Sequence, residues 1–376
     1  MGIIIGIGGA AGGGGGGGVT APSLPSGLTL SSSATTLSFS VTNNDADNPC
    51  AIDLAFSSSA LQAAAWDQGT ATSPSFVIEG GATRALTLER GSGAPEFGDP
   101  NVTETVTALL ADGSTVSTTV SVAGIQFHTA VSSLNTPLFE FLMDAVDGSG
   151  NMVNTGSVGS SRNAVLGNTA VSSTSDQFQG AVNFDSSSDY ITSIGGSEPL
   201  SSDFCRNQSR SYIFVWDTVT DLSTSAYIAI ANGSASNNGW GWLHTTATLV
   251  KSQYLWSSSA TNLSAANGTH SGSGSAQDLV TTKMPDGSPR RCFVTVSYDH
   301  SAVTATVRWK KQGDPAGHTY RTSGTSTGTS SGAQNVRWAG WTSGGSANEV
   351  NWRYIAVVNG TVSAAFFDQL AAIAGL

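Results

Sequence analysis

Between Val102 and Val122 the chain repeats every second residue. Val102, Glu104, Val106, Ala108 and Leu110 alternate with Thr103, Thr105 and Thr107, and Thr115–Val122 continues the pattern beyond Asp112-Gly113. A period of two is that of a pleated strand and does not fit a helix. An Asp-Gly pair between two such runs is a hairpin turn. The same grammar predicts further strands at Leu28–Leu30, Thr36–Thr42, Ala51–Phe56, Phe76–Glu79 and Thr83–Glu89. Strands this short cannot bury one face alone, so they must pair into sheets packed on each other.

Composition excludes the competing classes. Gly, Ser and Thr account for 142 of 376 residues (45 Gly, 97 Ser and Thr), and charged residues for 11%, against roughly 25% in ordinary globular chains. A coiled coil would need runs of Ala, Glu, Lys and Leu. A nucleic-acid binder would need a basic stripe, whereas this chain has four Lys and a net charge of -11. Nine Trp, 14 Phe and 39% hydrophobic residues are too many for a disordered chain. The acidity is concentrated early, with ten acidic residues against Arg84 and Arg90 in residues 1–130. That field disfavours phosphate backbones and anionic lipid, so neither a nucleic-acid partner nor membrane insertion is expected. Cys50, Cys205 and Cys292 form no Cys-x-x-Cys or Cys/His cluster, so no metal or other cofactor is expected. They read as buried thiols, with a Cys205–Cys292 bridge as the alternative.

The opening Met1-Gly2-Ile3-Ile4-Ile5-Gly6-Ile7 leads into seven consecutive glycines, Gly12 to Gly18. Glycine loses the most backbone entropy on ordering, so residues 1–18 read as a flexible arm with an apolar tip. Ile3, Ile4, Ile5 and Ile7 are the candidate anchoring residues, with a plain tail as the alternative. No basic segment leads into a long apolar one here, so the expectation is synthesis in a cytoplasm without a signal peptide.

The strands of residues 19–127 resemble an immunoglobulin-like or fibronectin type III sandwich without the disulfide of antibody domains. Asn43-Asn44-Asp45-Ala46-Asp47-Asn48 lacks a closing glutamate for a calcium loop and reads as a solvated turn. Residues 128–137 read as a polar linker. Beyond it, Leu138 to Asp144 precedes a turn at Gly148 to Asn154, then Arg162 to Gly167, then Gly180-Ala181-Val182-Asn183-Phe184-Asp185 through Asp189-Tyr190-Ile191. Arg291 to Asp299, Val336 to Gly340, Trp352 to Val358 and a short helix from Ser363 to Ile373 follow. This order resembles the laminin-G-like, concanavalin A-like lectin and glucanase sandwiches over residues 138–376. The expected fold is therefore all-β: a Gly-rich arm, an immunoglobulin-like sandwich, then a concanavalin A-like jelly roll with a short C-terminal helix. The sequence departs from that family at Val350-Asn351, where it usually has an acid, and at Trp309 to Gly313.

A glucanase needs two carboxylates flanking one bond. After the linker the glutamates are Glu140, Glu198 and Glu349, each isolated, and the five histidines form no His-x-x-x-His pair. No enzymatic activity and no catalytic residue is expected. Binding is better supported. Trp240, Trp242 and His244 alternate on one candidate strand, and Tyr254 and Trp256 on the next, so each set shares a face suited to stacking on sugar rings. The alternative is that this face belongs to the sandwich core. The module order resembles virion structural proteins of tailed phages. The resemblance implies a capsid decoration, head fibre or tail-associated appendage, held to other virion proteins through the arm and first sandwich, whose outer module binds glycans. The rival readings are a purely structural cement protein and a secreted polysaccharide-active enzyme or adhesin. No heptad enforces trimerisation, and a homo-oligomer remains open.

Overall fold

The computed structural model describes residues 20–66, 75–97, 99–160, 163–167, 169–185, 189–193, 209–220, 230–232, 239–246, 249–255, 260–263, 269–271, 283–299, 301–302, 304–323, 336–340 and 349–376. The protein is all-β with a short C-terminal helix. It divides into two compact units, one made of Met1–Pro95 and Pro100–Ala123, the other of Glu96–Asp99 and Gly124–Leu376. The arm and its Ile3, Ile4, Ile5 and Ile7 lie outside the described residues.

In the smaller unit the strands are β1 (Leu28–Leu30), β2 (Thr36–Thr42), β3 (Cys50–Phe56), β4 (Leu61–Trp66), β5 (Ser75–Ile78), β6 (Thr83–Arg90), β7 (Val102–Leu110) and β8 (Thr115–Val122). They form a five-stranded sheet β1-β8-β7-β3-β5 and a three-stranded sheet β2-β6-β4. Leu30, Ile52, Val106 and Val120 from the first meet Phe39, Val41, Leu86 and Leu88 from the second in one core. The hairpin is confirmed: β7 and β8 pair from Val102↔Val122 to Leu109↔Thr115, and Gly113 takes φ +83° in the turn. Strand β4 was not expected. Its Gln62-Ala63-Ala64-Ala65 lacks β-branched residues, and a register shift between Ala63 and Ala65 interrupts its pairing with β6. The Asn43–Asn48 segment knits its own turn. Asp45 Oδ1 accepts from the amides of Asp47 and Asn48, and Asn43 Nδ2 donates to the carbonyls of Asn48, Ile78 and Glu79.

Glu104 occupies an inward position in an otherwise apolar alternation, and its carboxylate is fully buried. It accepts from the hydroxyls of Ser57 and Ser58 and from the amides of Ser58 and Ala60. These donors lie on the bend between β3 and β4, where the chain passes from one sheet to the other, so one carboxylate fastens the crossover.

The larger unit contains β9 (Phe139–Val146), β10 (Met152–Asn154), β11 (Ala164–Gly167), β12 (Ala170–Ser173), β13 (Gly180–Phe184), β14 (Tyr190–Ser193), β15 (Arg210–Thr218) and β16 (Ile230–Asn232). They are followed by β17 (Gly239–Thr246), β18 (Leu249–Leu255), β19 (Ala260–Leu263), β20 (Thr269–Ser271), β21 (Arg290–Asp299), β22 (Thr304–Lys311), β23 (His318–Ser323), β24 (Val336–Gly340) and β25 (Val350–Asn359). One run of antiparallel pairings goes β20-β23-β22-β21-β15-β25, and β25 then pairs with both β13 and β9. A second run goes β9-β10-β11-β14-β24-β16-β17-β18-β19. Gly180 sits where β13 passes over β9; a Cβ there would lie 2.4 Å from the Asp144 nitrogen, so no side chain fits.

All nine residues of β15 are buried. On one face Tyr212, Phe214 and Trp216 join Val294, Trp309 and Trp352 in the inner core. On the other, Ile213 and Val215 join Phe293, Tyr354 and two helices, α1 (Phe127–Leu134) and α2 (Ala364–Ile373). Helix α1 corrects the expected linker over 128–137. Phe127, Ala130, Val131 and Leu134 fall at i, i+3, i+4 and i+7, and that stripe packs on the sheet with the Phe127 ring 5.0 Å from Tyr354 and 4.9 Å from Phe178. Composition alone conceals such a stripe among polar neighbours. Helix α2 starts at Ser363, whose hydroxyl accepts from the Phe366 amide, and stacks Phe367 on Phe293 at 4.7 Å.

A bulge at Arg353 sets the faces of β25. Val215 pairs with Tyr354 but Trp216 with Trp352, leaving Arg353 extra. Trp352 therefore points into the inner core and Tyr354 toward the helices. Arg353 also marks the point where the edge of β25 passes from β13 to β9. Its Nε donates to Asp217 Oδ2 at 2.7 Å, and Arg291 Nε donates to Asp217 Oδ1 at 2.8 Å. Arg291 Nη1 also donates to the Ala374 carbonyl at the end of α2, so the pair ties strand ends to the helix.

Burial pushes the Glu104 carboxyl up, but the Ser58 and Ser57 hydroxyls and the Ser58 and Ala60 amides outweigh it and hold it below the usual carboxylate range. Its stabilisation is thus complete above the unfolded value, near 4.3, and is lost as pH falls through the lower folded value. Glu104→Gln should cost about 2 kcal/mol at pH 7 and give a shallower acid limb in urea unfolding measured from neutral to acidic pH. Parallel pH curves for the two proteins would contradict this role. Asp217→Ala takes from two guanidinium groups the nearer of their carboxylates, leaving only Asp176 at 3.5 Å, and should cost about 3 kcal/mol in the same assay, with Asp217→Asn intermediate; a change under about 0.5 kcal/mol would show that the network contributes little.

Candidate functional site

Three of the aromatic residues singled out in the sequence, with His244, fall on one hairpin. β17 and β18 pair with Trp240↔Tyr254, Trp242↔Ser252 and His244↔Val250. Residues at i, i+2 and i+4 of a strand share a face, and cross-strand partners share it too. Trp240, Trp242, His244 and Tyr254 therefore stand on the same face of the hairpin. The opposite face carries Gly241 with Gln253 and Asn262 in one row and Leu243 with Lys251 in the next. β16 extends the aromatic face by placing Ile230 against Trp242. Trp256 lies outside the described residues, so β18 contributes Tyr254 alone.

The reason these residues form a hairpin is local. Gly239, Gly241 and the β-branched Thr245 and Thr246 suit a pleated strand beside bulky rings, and the alternation leaves small residues between the tryptophans. Positions two residues apart on a strand lie about 7 Å from each other.

Several titratable groups elsewhere are committed to structure. Glu140 is buried and accepts from Tyr354 Oη at 2.6 Å and Thr155 Oγ1 at 2.8 Å. Burial, with the Glu140 charge beside it, drives the Tyr354 hydroxyl well above its ordinary value. Cys292 is a free, buried thiol whose ionisation burial also pushes up, and Cys50 is likewise free and buried. Neither has the electropositive, open surroundings of a nucleophile. His318 stacks on Trp309 at 5.2 Å with its Nε2 3.3 Å from Asp314. Among the described residues no group of three His, Cys, Asp or Glu side chains could hold a metal ion, and no helix is long and apolar enough to cross a membrane.

Sequence reasoning missed the charged group around Asp217, because Asp176, Asp217, Arg291 and Arg353 come from four separate segments. Both arginines also reach Asp176 Oδ2, each at 3.5 Å. Only the apolar run Tyr212 to Trp216 before Asp217 hinted that it lies at the end of a central strand.

No family model matches the chain, and no curated protein matches it. Similar solved structures include the binding domain of botulinum neurotoxin serotype C1, with TM-score 0.41 and 12% identity over 63% of this chain and 52% of that one. The serotype D binding domain gives TM-score 0.40 and 13% identity over 64% and 52%. The serotype DC binding domain in complex with rat synaptotagmin II gives 0.41 and 10% over 64% and 52%. The chain spans about half the length of the structures it matches.

Proposed function

We propose that this chain is a glycan-binding surface protein and not an enzyme, and that its setting is a virus particle. The observation that carries the binding role is the register of one hairpin, which gathers Trp240, Trp242, His244 and Tyr254 on a single face. Rings offer sugars a large apolar area at little entropic cost, while His244 supplies a hydrogen-bonding group beside them. The virion setting rests on sequence alone: a glycine arm tipped with Ile3, Ile4, Ile5 and Ile7, then two β modules in series. In this reading the arm and first module hold other virion proteins, as a capsid decoration, head fibre or tail-associated appendage, and the larger module faces outward. In this reading its place is the virion surface.

A glycan array with the full chain tests the binding role. At least one polysaccharide class should bind, and Trp240→Ala or Tyr254→Ala should weaken it about tenfold, the loss of roughly one stacked ring. Trp242→Phe, which keeps a ring, should retain most of the binding and guards against loss of fold. An array without binding, or binding indifferent to these changes, favours a structural cement protein; turnover of a polysaccharide abolished by one carboxylate substitution would establish an enzyme instead.

The arm is tested separately. Deleting residues 1–18 should leave thermal unfolding of both units unchanged but stop incorporation into particles, and normal incorporation would refute anchoring.

A further inference from the structure

The outer face of the central sheet is divided. One half, carrying Ile213, Val215, Phe293, Ala356 and Val358, is covered by α1 and α2. The other half carries a polar row running straight across the strands: Asn183 on β13 pairs with Asn351 on β25, which pairs with Asp217 on β15, which pairs with Arg291 on β21. Val182, Phe184, Val350, Trp352, Trp216 and Cys292, the neighbours along each strand, all belong to the inner core, so alternation puts the row on the outer face. Glu349 lies beside it.

The amide end of this row is built but unfinished. Asn183 Nδ2 donates to Asn351 Oδ1 at 2.8 Å and to Glu349 Oε1 at 3.0 Å. Those bonds fix the orientation of all three side chains. They leave Asn351 Nδ2, Asn183 Oδ1 and Glu349 Oε2 without a hydrogen-bond partner among the described residues, and all three residues are half-buried and reachable by solvent. Two acceptors and one donor are thus held side by side. At the other end Arg291 and Arg353 converge on Asp217, with Asp176 loosely beyond them.

We propose that this row is a binding site for a neutral, hydroxyl-rich ligand, namely an oligosaccharide lying across the strands. The charges select the class. Glu349, Asp217 and Asp176 outnumber Arg291 and Arg353 by one, which opposes anionic sugars and phosphates, while the two guanidinium groups at Asp217 oppose a metal ion. Hydroxyl groups both donate and accept, so a sugar satisfies the mixed set of free donors and acceptors. Asp217 is buried and Arg291 is covered by Phe178 and the end of α2, so the open part is Asn183 and Asn351 with Glu349 beside them, about 5 Å across at the usual strand spacing, room for one ring of the sugar. The site is separate from the aromatic hairpin, and the inference does not rest on that hairpin binding anything.

Isothermal titration of the full chain with neutral hexasaccharides (malto-, cello-, manno- and xylohexaose), with hexagalacturonate as the acidic comparison, tests it. At least one neutral sugar should bind better than hexagalacturonate. Asn351→Ala and Glu349→Gln should each weaken that binding about five- to tenfold, the loss of one hydrogen bond, without moving the thermal midpoint. Asp112→Ala, in the exposed turn between β7 and β8, should leave it within about twofold. No neutral binding at millimolar concentration, preference for hexagalacturonate, or undiminished binding by Asn351→Ala would overturn the proposal. Loss in Trp240→Ala but not in Asn351→Ala would overturn it while upholding the hairpin as the glycan site.

Discussion

A strand with water on neither face dictates the architecture of the larger unit. Arg210–Thr218 is buried along its whole length, so each face must be covered by a complete apolar layer, and every backbone group must be paired by the strands on either side. The inner face is covered by the second run of strands. The outer face is too short of sheet partners and is covered by two helices, which explains why an all-β chain carries helices at these two places. Several buried polar side chains are closed off in pairs: Ser211 and Ser297 share a hydrogen bond and both accept from the Val362 amide, and Glu140 is closed by Tyr354 and Thr155. Charge appears at the strand end, at Asp217, where two guanidinium groups can reach it.

The smaller unit solves a simpler problem and was correspondingly easier to read. Each of its strands buries one face, so alternation in the sequence maps directly onto inside and outside, as in Val102–Leu110. Even Glu104 falls in place as an inward position; what the sequence did not reveal is that serines 47 and 46 residues away would supply its hydrogen bonds. Leu61–Trp66 escaped notice because an alanine run carries no period. In the larger unit the central strands are apolar at consecutive positions, so their existence was legible and their facing was not. The bulge at Arg353, which turns Trp352 and Tyr354 to opposite sides, leaves no mark in residue type.

The candidate site was legible to the same degree. Alternating rings at Trp240, Trp242 and Tyr254 announced a shared face, and pairing supplies the register that joins the two strands. The polar row was not legible, since Asn183, Asn351, Asp217 and Arg291 are single residues in four distant strands, brought into line only by strand order. Together these features describe a doubly covered sheet with half-buried hydrogen-bonding groups at one end, and a hairpin whose aromatic positions share a face.

The central claim, that the hairpin rings meet a glycan while the core tryptophans do not, is tested most directly by the indole N–H resonances of tryptophan-labelled protein titrated with a polysaccharide panel. Trp240 and Trp242 should shift with one or more members, and the buried Trp216, Trp309 and Trp352 should stay fixed. Immobility of Trp240 and Trp242 across the whole panel would contradict the account.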